Sequence, residues 1–300
     1  INAGTDNFLT DYLKASGTDF ANARVTLTND SLIAFNADVL RLRTGSTRLD
    51  TISFGAVQHG KFLAFKAALN NRPGTFDQFA HVNLTGFLAD DKLALLLRQR
   101  DINDRQGFFL GVNLTMQDSL ATLRLVPRKP TVGYKEWTLN TDNYISYNFT
   151  THRVAADLTM QSDRSLIKIF TEPSADTLRS QDDVVVRLSD IHLADWLSIS
   201  PFAPPIKGDL GADMRIHWDA DNLTGAGTIG VTDLYYGRDR VGTFDIGVDV
   251  TTGRSGALRA DASLLVDSIK VITATGSLND TTAAHPFMLD FSMIHFPLHI

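Results

Sequence analysis

Apolar and polar residues alternate with a period of two along most of this 300-residue chain. Ile33, Phe35, Ala37 and Val39 are interleaved with Asn36 and Asp38, and Val112, Leu114 and Met116 with Asn113, Thr115 and Gln117. Val154, Ala156, Leu158 and Met160 oppose Asp157, Thr159 and Gln161. The longest stripe is Leu210, Ala212, Met214, Ile216 and Trp218, set against Asp213, Arg215 and His217. Phe244, Ile246, Val248 and Val250 then alternate with Asp245, Gly247, Asp249 and Thr251, and shorter matches fall at 93–97, 123–125, 145–149, 184–188 and 262–266. Neighbouring side chains of an extended strand point to opposite faces, so each segment predicts a strand with one dry side and one wet.

Turn-like clusters such as Asn70-Asn71-Arg72-Pro73-Gly74 and Gly253-Arg254-Ser255-Gly256 separate these segments. The short spacing predicts antiparallel meanders, because parallel strands need long crossovers. Only 75–80 and 193–199 read as short helices, the second stopped by Pro201. With no Gly-, Ser- or Pro-rich linker, residues 1–300 read as one continuous β segment. Candidate repeat boundaries lie near 127–133 and 201–208. There Pro130-Thr131-Val132-Gly133 and Pro205-Ile206-Lys207-Gly208 each follow an earlier proline and precede an amphipathic strand. Proline cannot donate to a ladder, so such clusters are expected at edges and strand starts. Ile1 at the start and a strongly apolar final stretch, 288–300, lead us to expect a fragment of a longer protein.

Composition sharpens the β reading: of 34 acidic residues only Glu136 and Glu172 are Glu, and the other 32 are Asp. Asp favours turns and caps where Glu favours helix. The net charge of −6, with scattered basic residues, leaves no phosphate-backbone footprint, so no nucleic acid is expected. Cysteine is absent, which removes disulfides, thiolate metal sites and Cys nucleophiles. His295 and His299 have the spacing of a helical zinc pair, but Pro297 lies between them and no Glu does. Asp219-Ala220-Asp221-Asn222 lacks the Gly and Glu of a calcium loop and reads as a turn, as do Asp90-Asp91 and Asp182-Asp183. Trp137, Trp196 and Trp218 suit sugar platforms, although Trp218 lies on an apolar stripe. No nucleophile elbow, P-loop or dinucleotide motif occurs. No enzyme, cofactor or metal is expected.

A family resemblance rests on four motifs: the run Leu120-Ala121-Thr122-Leu123-Arg124-Leu125-Val126-Pro127, then Pro130-Thr131-Val132-Gly133-Tyr134, Trp137-Thr138-Leu139-Asn140 and Asp142-Asn143-Tyr144-Ile145. Together they resemble the large TamB proteins of Bacteroidota. Pro204-Pro205-Ile206-Lys207-Gly208-Asp209-Leu210 is similar to their strand-start pattern, and the texture is that of the wider AsmA-like group. The resemblance implies an elongated, curled antiparallel sheet (a β-taco, or repeating β-groove) with an apolar concave face. It implies a periplasmic middle segment of an inner-membrane-anchored protein that reaches the outer membrane. Its partners would be phospholipid or another acyl-chain ligand and an outer-membrane barrel of the Omp85 class, TamA-like. The implied role is lipid conduction in outer-membrane biogenesis.

For such a groove the expected lining is Leu114, Met116, Leu123, Leu125, Val154, Leu158, Met160, Val186, Leu188, Leu210, Met214, Ile216, Ile246 and Val248. The same stripes also suit the closed core of a β-sandwich adhesin or glycan-binding module. A third reading is an assembly partner that offers a sheet edge to nascent barrel strands. Five Asp-Ser/Thr-apolar tripeptides make Ser31, Thr51, Ser119, Thr177 and Ser268 candidates for the O-glycans that a Bacteroidota origin implies; strand-end turns favour the same residues.

Overall fold

Wherever the alternation is longest, the backbone is a strand. A computed structural model of the chain describes residues 2–3, 8–30, 32–45, 47–74, 76–174, 181–218, 223–252, 257–278 and 287–294. Among them run twenty-two strands and two short α-helices. The protein is all-β, built as an antiparallel meander that no pairing among the described residues closes.

The chain falls into two compact units. The first comprises Ile1–Gln117, Leu123–Trp137 and Ser198–Ala203, the second Asp118–Thr122, Thr138–Leu197 and Pro204–Ile300. The first unit opens with β1 (Asn2–Ala3), α1 (Phe8–Ala15) and β2 (Thr18–Asp19). Its sheet follows as β3 (Asn22–Asn29), β4 (Ile33–Thr44), β5 (Thr47–His59), β6 (Phe62–Asn70), β7 (His81–Ala89), β8 (Lys92–Arg100) and β9 (Gln106–Gln117). Each of these pairs with the next. Then come β10 (Leu120–Val132), whose first three residues belong to the second unit, and β11 (Lys135–Glu136).

The second unit holds β12 (Thr138–Leu139), β13 (Tyr144–Asn148), β14 (Val154–Ser162), β15 (Ser165–Glu172), β16 (Asp183–His192) and α2 (Leu193–Leu197). It continues with β17 (Ile206–Trp218), β18 (Leu223–Tyr236), β19 (Asp239–Thr252), β20 (Leu258–Val266), β21 (Ile269–Leu278) and β22 (Phe287–Met293). Here too each strand from β13 onward pairs with its successor.

Turns, and bulges in β16 and β18, make use of Asp. Asp90, Asp104, Asp118, Asp163, Asp190, Asp233 and Asp267 all hold positive φ, between 44° and 59°. A short side chain that bonds local backbone makes this left-handed conformation tolerable for Asp, whereas Glu gains no such bond. Ala89 faces Lys92 across Asp90-Asp91, Ser162 faces Ser165 across Asp163-Arg164, and Val266 faces Ile269 across Asp267-Ser268. Gly133 and Tyr134, with φ of 64° and 62°, turn β10 into β11.

Several local expectations change. Of the helix expected at 75–80, the described part is a 3-10 turn, Asp77–Phe79, while the second is the single-turn α2. The helix α1 was not anticipated, because a span of eight residues carries little periodic signal. Pro127 and Pro130 sit inside β10 rather than before a strand. Pro130 contributes its carbonyl instead, accepting the Trp137 N–H at 2.8 Å. By contrast, Pro204 and Pro205 do precede a strand, β17, where the chain passes into the second unit.

Candidate functional site: an apolar concave face

In the second unit the register carries one apolar face across eleven strands. Leu139 of β12 lies opposite Met160, and Ile145 and Tyr147 of β13 lie opposite Ala156 and Val154. Leu158 and Met160 meet Ile169 and Ile167 of β15, which in turn meet Val186 and Leu188 of β16. Those two face Met214 and Ala212 of β17, while Val184 faces Ile216. Leu210, Ala212, Met214 and Ile216 pair with Val231, Ile229, Gly227 and Gly225 of β18, and these with Phe244, Ile246, Val248 and Val250 of β19. The row continues through Leu264, Ala262 and Ala260 of β20 to Ile272, Ala274 and Gly276 of β21. It ends on Met293, Phe291, Leu289 and Phe287 of β22.

The other face is wet. From β17 to β21 it shows Asp209, Asp213 and Arg215, then Thr224, Thr228 and Thr232, then Asp245, Asp249 and Thr251, then Asp261 and Ser263, then Thr273 and Thr275. A sheet so divided bends its apolar side inward, away from water.

A ring contact reveals the bend. Tyr147 on β13 and Trp218 at the end of β17 stack with centroids 5.9 Å apart and planes at 28°. Four strand spacings separate these strands, about 19 Å on a flat sheet at roughly 4.8 Å each. The rings meet because the sheet curls onto its apolar face. Phe149 packs edge-on against Tyr147 at 4.9 Å, and the Tyr147 hydroxyl bonds His152 Nδ1 at 2.9 Å.

Exposure divides the face in two. Beside the curled strands Leu139, Ala156, Met160 and Leu158 are buried, Leu158 retaining 5% of its accessible surface. Toward the far strands the same face opens: Ile246 keeps 40% and Phe291 71%, and Leu278, Phe287, Leu289 and Met293 are also exposed. Apolar side chains exposed together on one face form the kind of patch that exceeds a scatter of single surface hydrophobics.

All ten expected lining residues of the second unit (Val154, Leu158, Met160, Val186, Leu188, Leu210, Met214, Ile216, Ile246 and Val248) share this face. They differ in kind: Leu158 and Met160 are core, whereas Ile246 is surface. Sequence reading missed the β22 row, whose alternation lies at 287, 289, 291 and 293.

The first unit carries its own apolar face. Val25 and Leu27 lead through Phe35 and Ala37 to Ala56 and Phe54, then to Phe65 and Ala67. Leu84 and Leu88 follow, then Leu97, Leu95 and Leu93, and finally Leu110, Val112 and Leu114. Leu114 is half-buried on this face, and Met116, two residues on along β9, is exposed. Leu123 and Leu125 occupy alternate, half-buried positions on β10. The reverse face is less polar than its counterpart in the second unit, with Phe62 stacked on Phe87 and Arg98 lying over Phe109 at 4.3 Å.

One polar cluster contradicts the sequence reading. Asp182-Asp183 was expected to be a solvated turn, but Asp183 opens β16 at 3% exposure on the wet side of the second unit. Its Oδ1 meets Nδ1 of the buried His217 at 2.9 Å, and its Oδ2 accepts from Arg215 Nη1 at 3.1 Å. Arg215 also pairs with Glu172. Burial pushes the Asp183 carboxyl up, but hydrogen bonds from Arg215, His217 and Ser174 outweigh it and hold the group below the ordinary carboxylate range. The cluster staples β15, β16 and β17 together.

The remaining candidates scatter. Thr51 lies half-buried inside β5, between Leu40 and Asn70. Ser119 and Ser268 occupy hairpin turns, and Ser268 is exposed. Ser31, Thr177, Asp219-Ala220-Asp221-Asn222, His285, His295 and His299 lie outside the described residues, and among the described residues no three His, Asp or Glu converge as metal ligands. Trp137 is buried and bonds the Val132 carbonyl at 3.2 Å, so it is a lock for the Gly133 turn rather than a sugar platform. Among the described residues, no helix is long and apolar enough to cross a membrane. No family model, curated protein or solved structure matches the chain.

Proposed function

We propose that this chain is a segment of a periplasm-spanning β-groove that shields lipid acyl chains and conducts phospholipid between the inner and outer membranes. The observation that carries the reading is the uninterrupted apolar face of the second unit. It is curled at β13–β17 and carries exposed apolar side chains at Ile246 and Leu278 and along β22. Each methylene placed on such a face is stabilised by about 0.8 kcal/mol. Because that contact is non-directional, an acyl chain slides along the row without a fixed site, while its head group stays in water. No catalytic residue is required. The motif resemblance to TamB proteins supplies the setting: outer-membrane biogenesis, with an Omp85-class barrel as partner. A second reading, strand addition to nascent barrel proteins, draws on β22, which pairs with β21 alone among the described strands.

Native mass spectrometry of the purified protein, with lipid extraction of the same sample, tests the proposal. Co-purifying phospholipid, or uptake of added palmitoyl-oleoyl phosphatidylethanolamine, is expected in the wild type. Ile246→Arg and Phe291→Arg place a charge on the exposed row and should reduce uptake at least tenfold without unfolding the protein. A folded wild type that carries no lipid and takes up none would overturn it.

A further inference from the structure

We propose that Tyr147 and Trp218 form a strap across the concave face of the second unit, and that parting this strap admits an acyl chain to the buried floor beneath it. The inference rests on the groove reading and adds where the groove is gated. The two residues close the span between strands that are four apart in the sheet; Val154 lies opposite Tyr147, Val184 opposite Ile216 two residues before Trp218, and the buried Ala156 and Leu158 come next along β14. With no cysteine in the chain, no disulfide holds the strap. Among the described residues its side-chain contacts are the ring stack, the edge-on ring of Phe149, and the His152 ring, whose Nδ1 shares a hydrogen bond with the Tyr147 hydroxyl at 2.9 Å.

The strap stands at the water boundary, with Trp218 47% exposed and Phe149 exposed beside it. A residue that only sealed a core would be buried like Leu139, which keeps 1%. Trp and Tyr are also the side chains whose flat faces and polar tips suit the level at which acyl chain meets head group. An aromatic pair of this kind is weak enough to open against the gain from a few buried methylenes. A closed strap therefore lowers the apparent affinity by the fraction of molecules in which it is open.

The absence of cysteine from the native chain allows a clean test. In a Tyr147→Cys/Trp218→Cys variant, a short bis-maleimide would lock the strap, and N-ethylmaleimide would cap both thiols without joining them. Uptake of brominated palmitate is expected to fall at least tenfold in the cross-linked protein and to persist in the capped one. Equal uptake by cross-linked and capped protein, with the wild type binding normally, would overturn the strap and leave the groove standing. No uptake by any form, wild type included, would overturn both. If the double variant fails to fold, Trp218→Ala decides the matter. Uptake should tighten several-fold, to about tenfold at most, given the strength of such a stack, and unchanged or weaker uptake would refute the strap.

Discussion

Replacing Asp183 by Asn keeps the shape of the side chain and removes the charge that joins β15, β16 and β17. In the wild type the carboxylate accepts from Arg215 at 3.1 Å and His217 at 2.9 Å, and both Asp183 and His217 are almost fully buried. Hydrogen bonds to charged groups contribute about 1.5–3 kcal/mol each. Removing one partner of a buried pair costs about 3–5 kcal/mol, because the other is stranded. Asn retains one acceptor, so the loss should sit near the low end, about 3 kcal/mol. Equilibrium urea unfolding at neutral pH measures it.

The pH dependence has a definite sign. The Asp183 carboxyl titrates lower in the folded protein than in the unfolded chain. Its contribution is therefore complete above the unfolded value and decays as pH falls below about 4. The gap between wild type and Asp183→Asn should be widest at neutral pH and narrow in that acid window. Asp101 is also held low: burial raises it, but Arg105 and Asn103 donate to it and outweigh that effect. The wild type's acid sensitivity is thus shared between sites, and only the difference between the two proteins isolates Asp183. A variant within about 0.5 kcal/mol of wild type, or a gap that stays constant down to pH 3, would refute the reasoning.

Two further outcomes follow from the same geometry. Leu158→Ala, deep under the curl, should cost about 3 kcal/mol in urea unfolding through the cavity it leaves, and a loss below about 1 kcal/mol would mean that the floor is not packed. Gly133→Val places a β-branched residue at φ 64° in the β10–β11 turn and should destabilise by about 1–2 kcal/mol, whereas Gly133→Asn should be nearly neutral by the same measurement.

Alternation made most of the architecture legible. Once Leu210 to Trp218 is read as one strand with Leu, Met and Ile on one side, the register of its neighbours follows, because a one-residue slip would turn those side chains to water. The lining residues could be grouped onto one face for the same reason. Which of them are floor and which are surface could not be read. Leu158 and Ile246 occupy equivalent places in their stripes, and their different exposure arises from a curl that brings Tyr147 to Trp218, 71 positions apart. The Asp183–His217 contact was hidden similarly. It joins residues 34 apart on the wet face, where alternation predicts only that side chains are polar. The Asp-Ser pairs at 118–119 and 267–268, candidates for sugar attachment, fall at hairpin turns, a place the backbone conformation of Asp118 and Asp267 already explains.

The neighbour-to-neighbour meander also bears on how such a chain lengthens. From β13 to β22 each strand pairs with the next in chain order, and between bulges the inward side chains follow parity. A single inserted residue within a strand reverses the faces up to the next bulge or turn, whereas an inserted hairpin adds two strands and leaves the parity of all others intact. Because each strand takes its backbone hydrogen bonds from its immediate neighbours, much of the stability accumulates locally, as it does in repeat proteins. Reach is thus a quantity that such a sequence can change in steps of one hairpin, about 10 Å of added sheet width at two strand spacings, with no redesign of what is already built.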